Sequence, residues 1–343
     1  MAQINKPTDY FNTVLYTGND STQSITGVGF RPDLWWNKSR SGTHNAGVHC
    51  LYDSVRGTTK RLQSNATTAE ATISGVTSFD SDGVTLGSEN QSNGGSTNYV
   101  AWNWLAGGTA SSNTDGSITS SVSANTTAGF SIVSYTGNST SGATVGHGLN
   151  AVPSMIIWKN LGTDSWGVYH KSIGNTNALF LDLTNASTSF TTLVNSTTPS
   201  SSVITLGSST NSNNSGGMIA YCFAEKKGYS KFGSYTGNGN DDGTFIYTGF
   251  KPAWIMVKST SNASEWNIFD VKRNPYNLTN LELEANTSDA EANVAEREMD
   301  ILSNGFKFRG TSGFTNASGY SYIYMAFAEQ PLVGTNNIPC TAR

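Results

Sequence analysis

Short apolar segments recur along the chain in one order, three times over. Each series opens on Tyr-Thr-Gly-Asn, at 16–19, 135–138 and 235–238. An apolar run with a proline near its start follows and ends close to a lysine, and then come two further aromatic segments. The apolar runs and the closing aromatic segments lie at 30–36, 99–104, 152–158, 218–223, 250–257 and 322–327. This agreement of order, spacing and residue type indicates three tandem copies of one unit.

The segments have the character of β-strands. They are short, rich in aromatic and β-branched residues, and bounded by Gly, Asn, Pro or Ser. The apolar runs are nearly continuous, which suits strands covered on both faces. Turn signals at Asp82-Gly83, Asn93-Gly94 and Asn304-Gly305 favour hairpins, because these residues tolerate positive φ. We therefore predict an all-β chain of three tandem homologous β-sandwich modules that are jelly-roll-like.

One stretch has helical character instead. Ser288 and Glu291 have the spacing of a capping box, and the residues from there to about Met299 are helix formers. The sequence therefore predicts a single helix over 288–299.

The spacing of the copies sets the predicted boundaries. The Tyr-to-Tyr interval is 119 residues for the first copy and 100 for the second, and the excess is a stretch of mostly Gly, Ser, Thr and Asn. That stretch is either a flexible linker or an edge strand anchored by Ile118 and Val122. The predicted parts are repeat 1 at 10–107, the linker or edge strand at 108–126, repeat 2 at 127–227, repeat 3 at 228–333, and a C-terminal tail at 334–343.

Composition narrows the class of protein. Charged residues are 13% of the 343, about half the usual share. The 15 Phe, 14 Tyr and 8 Trp nevertheless provide apolar surface for several cores, so we expect an ordered chain with a nearly neutral surface. A net charge of −4 without basic clusters argues against a nucleic-acid partner. No apolar stretch is long enough for membrane insertion, and the first residues lack the apolar centre of a signal peptide, so we expect synthesis in a cytoplasm.

The residues that usually carry chemistry show no recognisable site pattern. The cysteines are an odd three without close spacing, which indicates neither a disulfide framework nor a zinc site. Residues 80–83 resemble a fragment of a calcium loop but lack its other ligands, so we interpret them, and the acidic stretch 240–243, as turns. The histidines show no ligand spacing. We therefore predict no catalytic residue, no cofactor and no metal. The residues considered are Cys50, Cys222, Cys340, His44, His49, His147 and His170.

Comparison of the copies with one another points to a preserved scaffold. The apolar strand positions persist in all three, whereas most polar positions change; Asp53, for example, is matched by His170 and Asp270. A triplicated active site would have kept its polar residues, although one copy alone could retain activity.

The tryptophans allow two interpretations. All eight lie in predicted strands, where core packing is the first expectation for most of them. Since neighbouring strand residues point to opposite faces, one of each adjacent pair could instead be outward. An outward indole would then stack on a sugar ring of a glycan or form an interface between modules or subunits. The residues considered for such a site are Trp35, Trp36, Trp102, Trp158 and Trp266.

The motif string resembles a known family. Tyr-Thr-Gly-Asn, together with residues 51–57, 79–83, 100–104 and 220–225, is similar to repeat proteins encoded by marine tailed bacteriophages, whose members look like virion proteins of structural or tail-fibre type. The resemblance runs from about Asp9 to Pro331 and brings no catalytic or binding residues with it.

The resemblance implies a virion location and suggests the leading function. We expect a non-enzymatic structural accessory on the head or tail, a capsid decoration or tail-fibre-associated protein that aids host adhesion. Its partners would be other virion proteins and copies of itself in a homo-oligomer. The short ends 1–9 and 334–343, with Ile4 and Ile338 as apolar anchors, would dock it by ordering against a partner. The alternative is that both ends are frayed and contact nothing.

Two alternatives from other classes stay open. The chain could be a carbohydrate-binding module or adhesin that recognises host surface glycan. It could also be a glycan depolymerase, which a pair of carboxylates roughly 5–10 Å apart in a groove would favour.

Overall fold

The structure is a computed structural model that describes residues 3–41, 47–334 and 337–342. Strands dominate the described chain, and helix is confined to two single α-helical turns and two short 3-10 segments. The predicted all-β class is confirmed, and the strands form layered antiparallel sheets of β-sandwich character.

The elements are numbered in chain order. The first part contains a 3-10 turn Pro7–Asp9, β1 Phe11–Thr17, β2 Gln23–Ile25, β3 Leu34–Ser41, β4 His49–Asp53, β5 Lys60–Arg61, β6 Ala71–Thr72, β7 Val76–Asp80, β8 Gly83–Leu86, α1 Asn90–Asn93 and β9 Asn98–Trp104. The middle part contains β10 Ser111–Asn113, β11 Ser120–Asn125, β12 Phe130–Thr136, β13 Thr144–Gly146, β14 Met155–Asn160, β15 Gly167–His170, β16 Asn177–Phe180, β17 Thr188–Ser189, β18 Val203–Thr205, α2 Thr210–Asn213 and β19 Gly217–Phe223. The last part contains β20 Ser230–Thr236, β21 Phe245–Tyr247, β22 Phe250–Ser259, β23 Asn267–Asp270, β24 Leu281–Glu284, β25 Ala292–Asn293, a 3-10 turn Ala295–Arg297, β26 Met299–Leu302, β27 Gly305–Phe308 and β28 Ser321–Pro331.

Each repeat contributes a main sheet with the same strand order. The orders are β1-β9-β3-β4 in repeat 1, β12-β19-β14-β15 in repeat 2 and β20-β28-β22-β23 in repeat 3. All neighbouring strands are antiparallel. The sequence series thus corresponds to one recurring sheet, in which the marker strand and the apolar run flank the closing segment. The boundaries between repeats stay a prediction.

A small second sheet covers one face of each main sheet. These sheets are β2-β8-β7, β13-β18 and β21-β27-β26. In repeat 1 the layer between the two sheets contains Trp35 and Tyr52 of the main sheet with Val76 and Val84 of the small one. Repeats 2 and 3 have their own equivalents of this layer. One face of every main sheet is therefore buried within its own repeat.

The opposite faces of the three main sheets form one shared core. Trp104, Phe223 and Phe327 occupy the same place on β9, β19 and β28, and their rings contact one another with centroids 5.5–6.4 Å apart. The cluster around them draws on all three repeats. Because each main sheet is covered on both faces, its strands read as nearly continuous apolar runs. The three repeats pack as a triangle around this aromatic centre.

Two internal segments differ from or refine the sequence predictions. The stretch 108–126 contains β10 and β11, which extend the main sheet beside β12, and Ile118 and Val122 are buried. The predicted helix over 288–299 is wrong. Its residues form β25 and a 3-10 turn, and the backbone N–H of Glu291 donates to the carbonyl of Arg40. Tertiary pairing outweighs the local helix propensity there.

The N-terminal arm also differs from the prediction. Ile4 is buried in the shared core, and its backbone N–H donates to the carbonyl of Lys227 at 3.1 Å. The arm is therefore ordered against its own chain rather than awaiting a partner. Ile338 in the tail is 65% exposed. Residues 1–2 and 335–336, and the last residue, lie outside the described part of the chain.

Candidate functional site

The tryptophans considered as glycan platforms are all buried. Trp35 and Trp158 lie in the layers between sheets, and Trp36, Trp102 and Trp266 lie in the shared core. None is more than 3% exposed. Buried in this way, none of the five presents its ring to a glycan. Alternation does turn Trp35 and Trp36 to opposite faces, but both faces are covered by other parts of the chain.

The Tyr-Thr-Gly-Asn marker is a structural latch that closes each repeat. The hydroxyl of Tyr16 donates to the carbonyl of Ser92 at 2.7 Å, and the backbone N–H of Asn19 donates to Oδ1 of the buried Asn93. A Cβ on Gly18 would lie 2.2 Å from the carbonyl oxygen of Gly94, so only glycine fits. The glycine is needed for close approach rather than for a left-handed turn. The other two latches use Tyr135 with Ser212, Asn138 with Asn213, Tyr235 with Thr315, and Asn238 with Asn316.

The three lysines that end the apolar runs bridge the repeats. Lys38 donates to the carbonyl of Asp289 in repeat 3 at 2.7 Å. Lys159 donates toward Thr67 in repeat 1. Burial lowers the pKa of each lysine to about 8, because the charged ammonium is withdrawn from water. The third bridge joins Lys258 to the carbonyl of Thr184 in repeat 2. These cations serve the junctions between repeats.

The equivalent residues Asp53, His170 and Asp270 also form hydrogen bonds across the junctions between repeats. Asp53 forms a buried ion pair with Arg56 and accepts a hydrogen bond from the Tyr221 hydroxyl of repeat 2 at 2.8 Å. Asp270 pairs with Arg273 and accepts from Nε1 of Trp102 in repeat 1. In repeat 2 the position is His170, whose Nε2 faces the carbonyl of Tyr324 at 3.3 Å, and burial lowers its pKa to about 3.

A carboxylate pocket lies at the edge of repeat 3. Glu282 and Glu284 alternate with leucines on β24, and both bind Nη1 of Arg297, the second at 2.7 Å. Asp289 also lines the cavity, which has a volume of about 310 Å³. Burial and the neighbouring carboxylate raise the pKa of Glu282. Its side chain is only 3% exposed, an arrangement typical of a buried ion-pair cluster rather than of an acid open to a substrate.

The acidic stretches and the cysteines take structural positions. Asp80 lies in the β7–β8 hairpin, and Asp82 accepts backbone N–H bonds from Gly27 and Gly29. All three cysteines are free, and Cys50 and Cys222 are buried. Within the described ranges no three His, Cys, Asp or Glu side chains are grouped so that they could hold a metal ion. His44 lies outside the described residues.

Repeat 3 exposes two aromatic rings on the outer face of its small sheet. Phe245 and Tyr247 flank the buried Ile246 on β21 and are 44% and 57% exposed. The sheet puts Lys307 directly opposite Phe245. These three side chains, with Asp242 and Arg309 beside Lys307, are called the aromatic face below.

The other two repeats show that the scaffold does not need these rings. In each small sheet the same pair of positions brackets a buried aliphatic residue that pairs with the next strand. Repeats 1 and 2 hold small residues at these positions, namely Ser24, Thr26, Thr144 and Gly146. Exposed aromatic rings without a structural role are a feature of binding surfaces. The aromatic face is therefore the candidate functional site.

Phe245 and Tyr247 were not among the predicted site residues, because only tryptophans were considered for an exposed aromatic site. The sequence contained a signal for them: repeats 1 and 2 have polar or small residues at the two positions where repeat 3 has Phe245 and Tyr247. The buried Asn93, Asn213 and Asn316 were missed as well, since an asparagine among other polar and small residues is typical of an exposed turn or loop.

Fold and surface define an all-β protein of three main sheets packed around one core, with exposed aromatic rings on the small sheet of the third repeat. Residues 6–331 match the family model described as a domain of unknown function (DUF7483), and the chain belongs to this family. Neither curated proteins nor solved structures give a match. In the described chain no helix is long and apolar enough to cross a membrane.

Proposed function

We propose that this protein is a non-enzymatic structural accessory of a tailed-phage virion, seated on the head or tail, and that it aids adhesion to the host. The sequence resemblance supplies the virion context. The single structural observation that supports the proposal is the shared core, which joins the three main sheets into one packed body. Such a body suits a particle surface, where a protein must resist unfolding and proteolysis.

The polar groups favour a structural role over catalysis. The residues at the equivalent positions 53, 170 and 270 form hydrogen bonds across the junctions between repeats. The carboxylate pocket holds its two glutamates on one arginine. The first set of groups serves packing between repeats and the second forms an ion-pair cluster within repeat 3, so a glycan depolymerase has correspondingly less support.

The contact with the virion is made by the C-terminal tail alone rather than by both ends of the chain. Ile4 is buried in the shared core, so the N-terminal arm offers no free anchor. Ile338 is exposed beside a shallow cavity of about 220 Å³ lined by Asn5, Gln330 and Pro331. We therefore place the contact with another virion protein, or with a further copy in a homo-oligomer, at this end of the molecule.

Particle composition tests the proposal. We expect the protein in purified particles at a fixed multiple of the portal copy number, measured by quantitative mass spectrometry, and as a surface density in cryo-electron microscopy. Removal of residues 335–343 should abolish incorporation, whereas the Leu15→Ser variant, altered at an exposed apolar residue elsewhere, should incorporate normally. Absence of the full chain from purified particles would contradict the proposal.

The alternative of a carbohydrate-binding module is favoured by one observation, the aromatic face. It is compatible with a virion accessory, because an adhesin can be both.

A further inference from the structure

We propose that the aromatic face of repeat 3 binds a neutral carbohydrate. The proposal deepens the host-adhesion part of the proposed function and rests on that part. It assigns the ligand to Phe245 and Tyr247 instead of to the buried tryptophans.

The rings have a geometry that suits a sugar. Phe245 and Tyr247 are two residues apart on one strand, so their side chains leave the same face of the sheet roughly 7 Å apart. The buried Ile246 between them anchors the strand to β27. A pyranose ring has a face of C–H groups that packs on an aromatic ring, and the Tyr247 hydroxyl adds a polar group at the edge.

Polar groups next to the rings can satisfy sugar hydroxyls. Nζ of Lys307 lies 2.5 Å from Asp242, and Nη1 of Arg309 lies 3.2 Å from the same carboxylate. Arg309 also binds Asp300 through Nε at 2.6 Å. Asp242 is 77% exposed, so its remaining lone pairs face water. The group offers both hydrogen-bond donors and acceptors.

The charge of this group favours a neutral ligand. Two cations, Lys307 and Arg309, alternate with two carboxylates, Asp242 and Asp300, so the formal charges cancel. A strongly acidic ligand such as a phosphate would need an excess of cations. A neutral sugar needs donors and acceptors in balance, which the aromatic face provides.

The area of the face argues against a second protein as its occupant. Two partly exposed rings present on the order of 200 Å² of apolar surface. A stable protein interface buries about 800 Å² on each partner. The face is large enough for one or two sugar units and too small to hold a second copy of the chain.

The internal repeats supply the variants for the test. Phe245→Ser and Tyr247→Thr introduce the residues that repeat 1 has at these positions, so the fold should tolerate them. Leu15→Ser removes an exposed apolar side chain from β1 in repeat 1 and is the matched control. Melting temperatures of all variants check that folding is unchanged.

Binding would be measured by isothermal titration calorimetry and saturation-transfer NMR with purified full-length protein. The probes are hexasaccharides of β-1,4-glucose, β-1,3-glucose, α-1,4-glucose and β-1,4-N-acetylglucosamine at up to 10 mM. We expect the wild type and Leu15→Ser to bind at least one probe with a Kd in the range of about 0.1–5 mM. The double variant Phe245→Ser/Tyr247→Thr should bind at least tenfold more weakly, a loss of about 1.4 kcal/mol or more.

Three results would overturn the inference. One is no binding of any probe by the wild type, and another is unchanged binding by the double variant. The third is a wild-type dimer in sedimentation analysis that the double variant abolishes, since the face would then be a contact between copies. Each of these concerns purified protein and leaves the virion location intact, whereas absence from particles removes the virion proposal without touching sugar binding.

Discussion

The indole Nε1 of Trp166 donates a hydrogen bond to the carbonyl oxygen of Gln63, 2.9 Å away, across the junction between repeats 2 and 1. The same bond joins Trp266 in repeat 3 to the carbonyl of Phe180 in repeat 2, also at 2.9 Å. Each indole immediately precedes the second aromatic strand of its own repeat. Each acceptor lies in the neighbouring repeat beyond the last strand of the main sheet, Gln63 shortly after β5 and Phe180 at the end of β16.

A histidine completes the cycle. Nε2 of His49 in repeat 1 lies 2.9 Å from the carbonyl of Glu284 in repeat 3. The hydrogen bonds therefore run from repeat 2 to 1, from 3 to 2 and from 1 to 3, and the ring of repeats is closed. The lysine bridges follow the same direction around the ring.

Loss of one junction bond should weaken the whole molecule. Trp266→Phe keeps most of the buried apolar volume but leaves the Phe180 carbonyl without its donor, which we expect to cost about 1–3 kcal/mol in the free energy of unfolding. Urea unfolding followed by circular dichroism measures this. The control is Trp254→Phe, because Nε1 of Trp254 has no hydrogen-bond partner within the described chain. Equal losses in the two variants would show that the junction bond adds nothing.

The shared core should make unfolding a single event. Separation of any one repeat would expose apolar faces of the other two, so partly unfolded states are strongly disfavoured. We expect one calorimetric transition whose van't Hoff enthalpy equals the calorimetric enthalpy. Val84→Ala in the outer layer of repeat 1 should lower the temperature of that one transition without splitting it. Two or three resolved transitions would mean that the repeats unfold independently.

The buried asparagine that pairs with each Tyr-Thr-Gly-Asn segment should contribute several kcal/mol to the stability of the fold, although in the sequence it looks like an ordinary turn residue. Oδ1 of Asn213 accepts from the backbone N–H of Asn138 at 2.9 Å, and Nδ2 donates to the carbonyls of Thr140 and Gly207. Asn213→Ala removes one buried and two part-buried hydrogen bonds and should cost about 2–4 kcal/mol, measured by urea unfolding. Asn175→Ala removes a single exposed hydrogen bond and should change stability by less than about 0.5 kcal/mol.

His170 should make the protein sensitive to acid. Burial lowers its pKa to about 3, so between pH 6.5 and 3 the unfolded chain binds a proton that the folded chain does not. Stability is therefore lost as pH falls through this range, at up to about 1.4 kcal/mol per pH unit for this group. In His170→Asn the amide oxygen can still accept from the backbone N–H of Ser172, but it does not titrate.

The comparison of wild type with His170→Asn isolates the contribution of His170 to the pH dependence of stability. Since His49 and His147 are present in both proteins, the difference in unfolding free energy between wild type and His170→Asn reports His170 alone. We expect that difference to move in favour of the variant as pH falls from 7 to 4. A constant difference over that range would show that His170 is not titrating with a lowered pKa.

Much of the fold could be predicted from local pattern. Strands were recognisable because aromatic and β-branched runs are bounded by turn residues, and the threefold series marked equivalent strands. The predicted helix over 288–299 does not form, because its local propensity is weak against backbone pairing with β24 and with Arg40. The candidate site could not be located, since exposure of Phe245 and Tyr247 depends on which face of a small sheet meets the core.

By itself the sequence determined an all-β chain with three related sets of strands, because the period and the bounds of each apolar run are local properties. It also indicated that these strands are covered on both faces. Only the tertiary structure decided what covers them: a small sheet on one side, and the other two repeats on the other. That arrangement buries Trp36 and Trp102, joins Trp166 to Gln63, and leaves Phe245 exposed. The physical reason is that contacts between residues a hundred positions apart depend on how whole sheets pack, which no local pattern encodes.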